Sequence, residues 1–373
     1  KSRMKQRNPK KVPAQLTSIP KHKVLDEKKI GVLTSGGDCP GLNAVLRGIV
    51  RKSAEFNYRI IGILNGWKGL FDETYLPLGM AEVSGIINRG GTIIGTSRFN
   101  PFMEKNGEKI LLEKVAMADF DVLICIGGEG SMHIAHQAHK AGLKVIGVPK
   151  TIDNDIYGTD YTFGFDTAVG VATEAIDRLH TTAESHHRVM VVEVMGRNAG
   201  WIALYSGIAG GADIVAIPEQ KVGIDHMIDV IRNRYIRGKK FSIIVVAEGC
   251  QFGLGEFKHV KFDTKKIKLD DFGRPQLGGI SNYLAEEIEA RSGFETRATI
   301  LGHVQRGGMP SPFDRVLGTR FGVYSIEMVR DRKFGKMCAL HGNDVTEIPI
   351  SKAISKLKTV DLDIYKVAQV FFS

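Results

Sequence analysis

Short runs of near-continuous apolar residues punctuate the chain, beginning with KIGVLTS at Lys29. The others are YRIIGILNG, DVLICIGG, KVIGVPKT, RVMVVEVMG, DIVAIPE, FSIIVVAEG and ATILGHVQRGG. Their apolar positions do not alternate with polar ones, which is the pattern of strands covered on both faces of a parallel sheet. Between them lie NAVLRGIVRKSAEF, SMHIAHQAHKAG and DTAVGVATEAIDRLHTTAE, whose apolar residues recur at helical spacing. Strand–helix alternation of this kind predicts a doubly wound α/β architecture. Ligands in such folds bind beyond the carboxyl ends of the strands. There the runs pass directly into Gly36-Gly37-Asp38, Gly127-Gly128-Glu129-Gly130, Lys150-Thr151-Ile152-Asp153, Met195-Gly196-Arg197, Glu248 and His303 to Gly308. The pattern therefore predicts a polar site along one sheet edge.

The 373 residues are enough for two domains with sizeable cores. Net charge is +10, but residues 1–29 hold ten Lys or Arg against two acids, leaving about +2 for the remainder. The basic excess sits in a leader, expected as a flexible arm over 1–28, and the body lacks the basic face that a nucleic-acid binder needs. No apolar run reaches the ~20 residues of a membrane span. Cys39, Cys125, Cys250 and Cys338 are scattered with no CxxC spacing, which fits reduced thiols in the cytoplasm.

The chemistry lies in the loops. TSGGDCPGLNA follows a strand and opens a helix, so its glycines let backbone N–H groups approach a phosphate. It is neither a Walker A loop nor GxGxxG, and such a turn is equally often purely structural. CIGGEGSMH repeats the design around Glu129; a carboxylate in a glycine cradle suits Mg²⁺, although an acidic turn is the plainer reading. PKTIDNDIYGTD places Asp153 and Asp155 two apart beyond a strand, where one can take a hydroxyl proton and the other steady a metal. Arg188 and Arg297 directly precede apolar runs and Arg197 and Arg306 directly follow them; with Arg98 these five suit bidentate capture of phosphate, although any single one reads more simply as a surface salt bridge. His133, His136 and His139 drift round their helix and read as a solvated face rather than a metal site. Trp67 reads as packing, and Phe99 as packing or a base contact. Two glycine cradles, paired carboxylates and these arginines suit phosphoryl transfer.

The runs GVLTSGGDCPGLNAVLRG, INRGGTIIGTSRF, IGGEGS, PKTIDND, FGFDTAV, VVEVMGRNAG and TRATILGHVQRGG resemble the phosphofructokinase family, in family order over about residues 29–330. The resemblance implies two similar doubly wound parallel-sheet domains with the active site between them. By resemblance, residues 29–164 plus 277–327 form the donor-binding domain and 165–276 plus 328–345 the fructose-6-phosphate domain, with 346–373 a C-terminal extension. It implies Asp153 as the base toward the sugar 1-hydroxyl, with Thr151 beside the transferring group and Arg197 and Arg98 stabilising its charge. Gly37, Phe99, Gly128, Glu129, Gly130, Ser131 and Lys150 would face the donor, and Glu129 and Asp155 would organise Mg²⁺. Met195, Gly196, Glu248, His303 and Arg306 would hold the sugar phosphate. Arg188 and Arg297 would reach a neighbour's site, making a homotetramer with shared active sites.

For the donor, members of the family using pyrophosphate usually carry Asp after the acid of the GGxG loop, whereas here it is Gly130, which leaves room for ATP. Lys150 stands as in the pyrophosphate enzymes and some ATP enzymes, and Ile134 replaces a small residue near the adenosine and would crowd it, so pyrophosphate is the alternative donor. Arg47, Arg51, Arg237 and Lys239 match effector-phosphate ligands of bacterial relatives, while Met80, His180 and Phe241 replace Arg, Arg and His, implying a weak or altered effector response. A rival of another class is a non-catalytic regulatory subunit. The presence of Asp153, Asp155, Arg197 and both glycine cradles speaks against it.

Overall fold

The computed structural model describes residues 28–252, 256–259 and 278–372, so the basic leader lies outside the described residues. The chain opens with β1 (Lys29–Ser35), α1 (Leu42–Ser53), β2 (Arg59–Ile63), α2 (Trp67–Phe71), β3 (Tyr75–Pro77), α3 (Gly107–Met117), β4 (Val122–Gly127), α4 (Glu129–Lys140) and β5 (Val145–Pro149). The long helix α5 (Phe165–His186) leads to β6 (Val189–Val194), α6 (Trp201–Ala209), β7 (Ile214–Ala216), α7 (Ile224–Ile236), β8 (Ser242–Ala247), α8 (Ile280–Ser292) and β9 (Thr296–Ile300). Then come α9 (Pro312–Arg330), β10 (Lys336–His341), β11 (Asp344–Pro349), α10 (Ile350–Ala353) and α11 (Leu362–Gln369).

Two sheets result. The larger runs β11-β10-β5-β4-β1-β2-β3, parallel in its centre and antiparallel at both edges. The smaller, β7-β8-β6-β9, is wholly parallel. Helices cover both faces of each sheet, as the unbroken apolar strands require. In β1, Ile30 and Val32 face a core shared with α1, α5, α6 and α9, while Leu33 faces α2, α3 and α4 on the other side. In the second sheet Val189 and Val191 face α7 and α8, and Val192 and Val194 face the shared core. That shared core joins the two units, and α5 and α6 lie within it.

Strand order reverses at two places. Between β1 and β4 the connections leave in opposite directions, which opens a crevice at the carboxyl ends, and between β6 and β9 the chain passes from one side of β6 to the other, where a second crevice lies.

The expected division of the C-terminal third is corrected by strand pairing. Residues 280–300 were expected with the first domain, yet β9 pairs with β6 and α8 packs its Ile280, Leu284 and Ile288 onto the second sheet. Conversely, β10 and β11 extend the first sheet through β5, where residues up to 345 were expected in the second domain. The supposed extension from 346 is also integral: β11 completes a hairpin, and Tyr365 of α11 is buried in the shared core. The two-residue turn Gly342–Asn343, with Gly342 at φ 58°, is the signal that marks this hairpin in the sequence.

Candidate functional site

The crevice between β1 and β4 is lined by closely packed glycines. A Cβ on Gly36 would lie 3.4 Å from the Ser131 hydroxyl and 3.7 Å from Lys150 Nζ, and Gly36 itself sits at φ 84°. A Cβ on Gly37 would meet Arg306 Nη1 at 2.9 Å, so a side chain there would have to displace the Arg306 guanidinium. The strip carrying Arg98 and Phe99 runs alongside: Gly36 N–H donates to the Ser97 carbonyl (2.9 Å), and Thr96 Oγ1 to the Gly36 carbonyl (2.7 Å). Gly128, Glu129, Gly130 and Ser131 form the start of α4, whose first N–H groups are left open by helix geometry. Lys150 is buried and donates Nζ to the Gly37 carbonyl; burial pushes its amine below the usual lysine range. The crevice thus presents amides, an ammonium and a helix N-terminus, a set suited to anionic oxygens.

After β5 the chain turns sharply, with Asn154 at φ 52° and the Asp153 N–H donating to Thr151 Oγ1 at 3.0 Å. Asp153 and Asp155 are both buried, and each has an Oδ1 atom with no hydrogen-bond partner. Burial, with Asp153 and Glu129 close by, pushes the Asp155 carboxyl well above the usual carboxylate range, and Arg197 partly offsets this. Two orphaned buried carboxylate oxygens side by side are costly, and they fit a divalent cation or a hydroxyl proton. Among the described residues no group of three or more His, Cys, Asp or Glu is arranged to hold a metal unaided. A cation here would need oxygens from a ligand, as Mg²⁺ sites usually do.

The second crevice supplies the facing wall. Gly196 at φ 143° and Arg197 at φ 52° bend the chain after β6. Glu248 Oε1 accepts from the N–H groups of Gly196 (3.3 Å) and Arg197 (3.0 Å), and a Cβ on Gly249 would overlap the Arg197 carbonyl. Burial, helped by Asp153, pushes the Glu248 carboxyl up to about 7. Met195 N–H donates to Gln305 Oε1 (3.3 Å), which ties this bend to the 3₁₀ turn Gly302–Arg306 bearing His303 and Arg306. Arg306 Nη1 reaches the Asp38 carbonyl at 3.2 Å, so the two crevices face each other across the junction of the units.

Arg188 and Arg297 lie elsewhere. They sit toward the amino ends of β6 and β9, about 20 Å and about 10 Å of strand from the respective carboxyl ends, where both pair with Glu295 Oε1 at 2.7 and 2.6 Å. His133 bonds Glu129 at 3.2 Å and His139 bonds the Leu143 carbonyl at 2.9 Å, while Trp67 is fully buried. Phe99 stacks edge-on against Phe71 at 4.9 Å. His180 caps the Gly210 carbonyl at 2.7 Å beside the Phe241 ring. Three residues tied to the site carry no role in the sequence reading: Gln305, Glu219, which accepts the Gly200 N–H at 3.0 Å, and Lys358, whose N–H donates to the Asp155 carbonyl at 2.9 Å. Glu219 could have been found from its place directly after an apolar strand; Lys358 carries no such signal.

A family model described as Phosphofructokinase matches residues 29–329. The chain is 51% identical over 346 residues to a pyrophosphate–fructose 6-phosphate 1-phosphotransferase of Streptomyces coelicolor, covering 92% of this chain and 99% of that one. It is 49% identical over 346 residues to an ATP-dependent 6-phosphofructokinase 2 of the same organism, covering 92% and 100%. A solved phosphofructokinase from Saccharomyces cerevisiae superposes with a TM-score of 0.75 at 30% identity, over 92% of this chain and 47% of that longer chain.

Proposed function

The chain belongs to the phosphofructokinase family, and from that premise we propose that it transfers the γ-phosphoryl group of ATP to the 1-hydroxyl of fructose 6-phosphate. Phosphotransfer to fructose 6-phosphate is common to both relatives named above; the donor is what separates them. One observation carries the choice of ATP: the second residue of α4 is Gly130, so Glu129 has no carboxylate beside it to repel a nucleotide's α-phosphate.

Asp153, with its unpartnered Oδ1, is the base that takes the hydroxyl proton. Thr151 Oγ1 fixes its main chain, and Arg197 and Arg98 spread the charge of the moving group. Gly37, Gly128, Ser131 and Lys150 cradle donor phosphates, and Phe99 borders the nucleotide. Glu129 and Asp155 would hold Mg²⁺ together with donor oxygens. The cation supplies charge neutralisation across the donor phosphates. Met195, Gly196, Glu248, His303 and Arg306 hold the sugar phosphate in the second crevice.

Arg188 and Arg297, remote from this chain's own crevice, serve a neighbouring copy in a homotetramer. The exposed large apolar side chains Ile300, Val304, Met309, Phe313 and Val316, near His303 in the sequence, support such an interface. None of the four cysteines forms a disulfide, in keeping with a cytoplasmic enzyme, and no helix among the described residues is long and apolar enough to cross a membrane.

The alternative donor, pyrophosphate, is favoured by one feature, the buried ammonium of Lys150 against the Gly37 carbonyl. Initial rates with fructose 6-phosphate and Mg²⁺, with ATP in one reaction and pyrophosphate in the other, separate the two. Turnover with ATP and none with pyrophosphate is expected; the reverse would transfer the assignment to pyrophosphate.

A further inference from the structure

The segment Leu357–Val360 lies between the last two helices and touches both walls of the crevice. Its contact with the first wall is main-chain and side-chain together. Ile156 and Leu357 form an antiparallel bridge, and the Lys358 N–H donates to the Asp155 carbonyl at 2.9 Å. Lys358 Nζ donates to the Asp160 carbonyl, which also receives Asn154 Nδ2 at 3.5 Å. Asn154 sits between the two aspartates, so the ammonium acts on the same turn from its other end.

The second wall is held by the same residues. Trp201, which opens α6 just after Arg197, donates Nε1 to the Lys358 carbonyl at 3.0 Å. The Lys358 ammonium stands 5.0 Å from the Trp201 ring and 6.0 Å from the Tyr161 ring. Glu219 Oε1 accepts from Gly200 N–H (3.0 Å) and from Val360 N–H (2.9 Å). Lys358 therefore spans the turn that carries Asp153 and Asp155 and the bend that carries Arg197. These groups belong to different sheets, and nothing in either sheet alone sets their separation.

We propose that Lys358 is a positioning residue for phosphoryl transfer, clasping the aspartate turn to the arginine bend so that the base and the charge-stabilising guanidinium meet the same phosphoryl group. The proposal rests on the assignment of Asp153 and Arg197 to that transfer. Rate is sensitive to such placement, since a displacement of about 1 Å can cost ~10²-fold. An anchor that merely stabilised the C-terminal segment would instead change the amount of folded protein and leave turnover per folded molecule alone.

The test compares Lys358→Met, which keeps the apolar stem and removes the ammonium, with Lys358→Arg, which keeps the charge. For Lys358→Met we expect kcat to fall about 10–50-fold, with KM for fructose 6-phosphate within about 3-fold and the melting temperature within a few degrees. Lys358→Arg should recover most of kcat. Unchanged kcat in Lys358→Met, or a loss that tracks the melting temperature, would overturn the clasp. If Lys358→Met does not fold, Trp201→Phe removes the Nε1 donor to Lys358 together with part of the buried ring that faces its ammonium, and in the folded fraction should lower kcat without raising KM; an unchanged kcat there overturns it equally. Asp153→Ser run in parallel separates the two assignments. If it abolishes turnover while Lys358→Met does not lower kcat, the clasp alone fails; if it leaves turnover intact, the assignment of the site itself fails.

Discussion

The two walls of the crevice treat their buried carboxylates in opposite ways. In the second unit Glu193 is 2% exposed and accepts Gly279 N–H (2.8 Å), Ser281 N–H (2.9 Å) and Ser281 Oγ (2.8 Å). Glu287, fully buried, likewise accepts the N–H groups of Lys258 and His259 at 2.9 Å each. In the first unit Asp153 and Asp155 are as deeply buried but keep unpartnered oxygens and stand close enough to repel. A carboxylate satisfied by fixed amides has settled its desolvation cost within the fold, and acts as a structural clamp. One left unsatisfied carries a cost that only a ligand can relieve, which is the condition of a group that does chemistry.

The sharpest way to break this contrast is Asp153→Ser. Turnover should fall by about 10²–10⁴-fold, the usual contribution of a general base. The unliganded protein should melt no earlier than the parent, and later if relief of repulsion toward Asp155 dominates. A variant that kept its turnover, or that unfolded markedly earlier, would move Asp153 into the structural class.

Glu193→Gln tests the other side. The amide turns a donor toward N–H groups that need an acceptor, so a loss of about 2–4 kcal/mol is expected, read as an earlier denaturant midpoint. kcat of the folded fraction should stay within about 3-fold, because Glu193 faces Gly279 and Ser281 rather than the crevice. A variant as stable as the parent with a large loss of kcat would invert the comparison.

The same distinction explains what the sequence could and could not reveal. Strands read directly from unbroken apolar runs, because burial on both faces leaves no other pattern, and β1, β2 and β4 to β9 stand where those runs lie. Residues at their carboxyl ends were equally legible, since topology places them together: Gly37, Glu129, Asp153, Arg197 and Glu248 line the facing crevices. The destination of β9, β10 and β11 was not legible, because a strand's own apolarity says nothing about which sheet it joins. Lys358 escaped notice for a related reason. A lysine in SKLKTV reads as a solvated residue, and the hydrogen bonds it donates go to main-chain carbonyls brought near by the return of the chain to the first sheet.

Glu248 falls between the two classes and so offers the finest test. Its Oε1 is held by two amides, as in a structural clamp, yet burial and Asp153 raise the group from 4.5 to about 7. The folded state therefore binds this proton more tightly than the unfolded chain. Stability from protonated Glu248 is fully present below about pH 4.5, is lost as pH rises toward about 7, and amounts to on the order of 2 kcal/mol over that window. Glu248→Gln removes the titration and should flatten the decline in stability of the ligand-free protein between these pH values. Denaturant midpoints at pH 5 and pH 7.5 measure it: a smaller difference in Glu248→Gln than in the parent is expected. An equal difference would mean that the two amides satisfy Glu248 completely and that it belongs with Glu193.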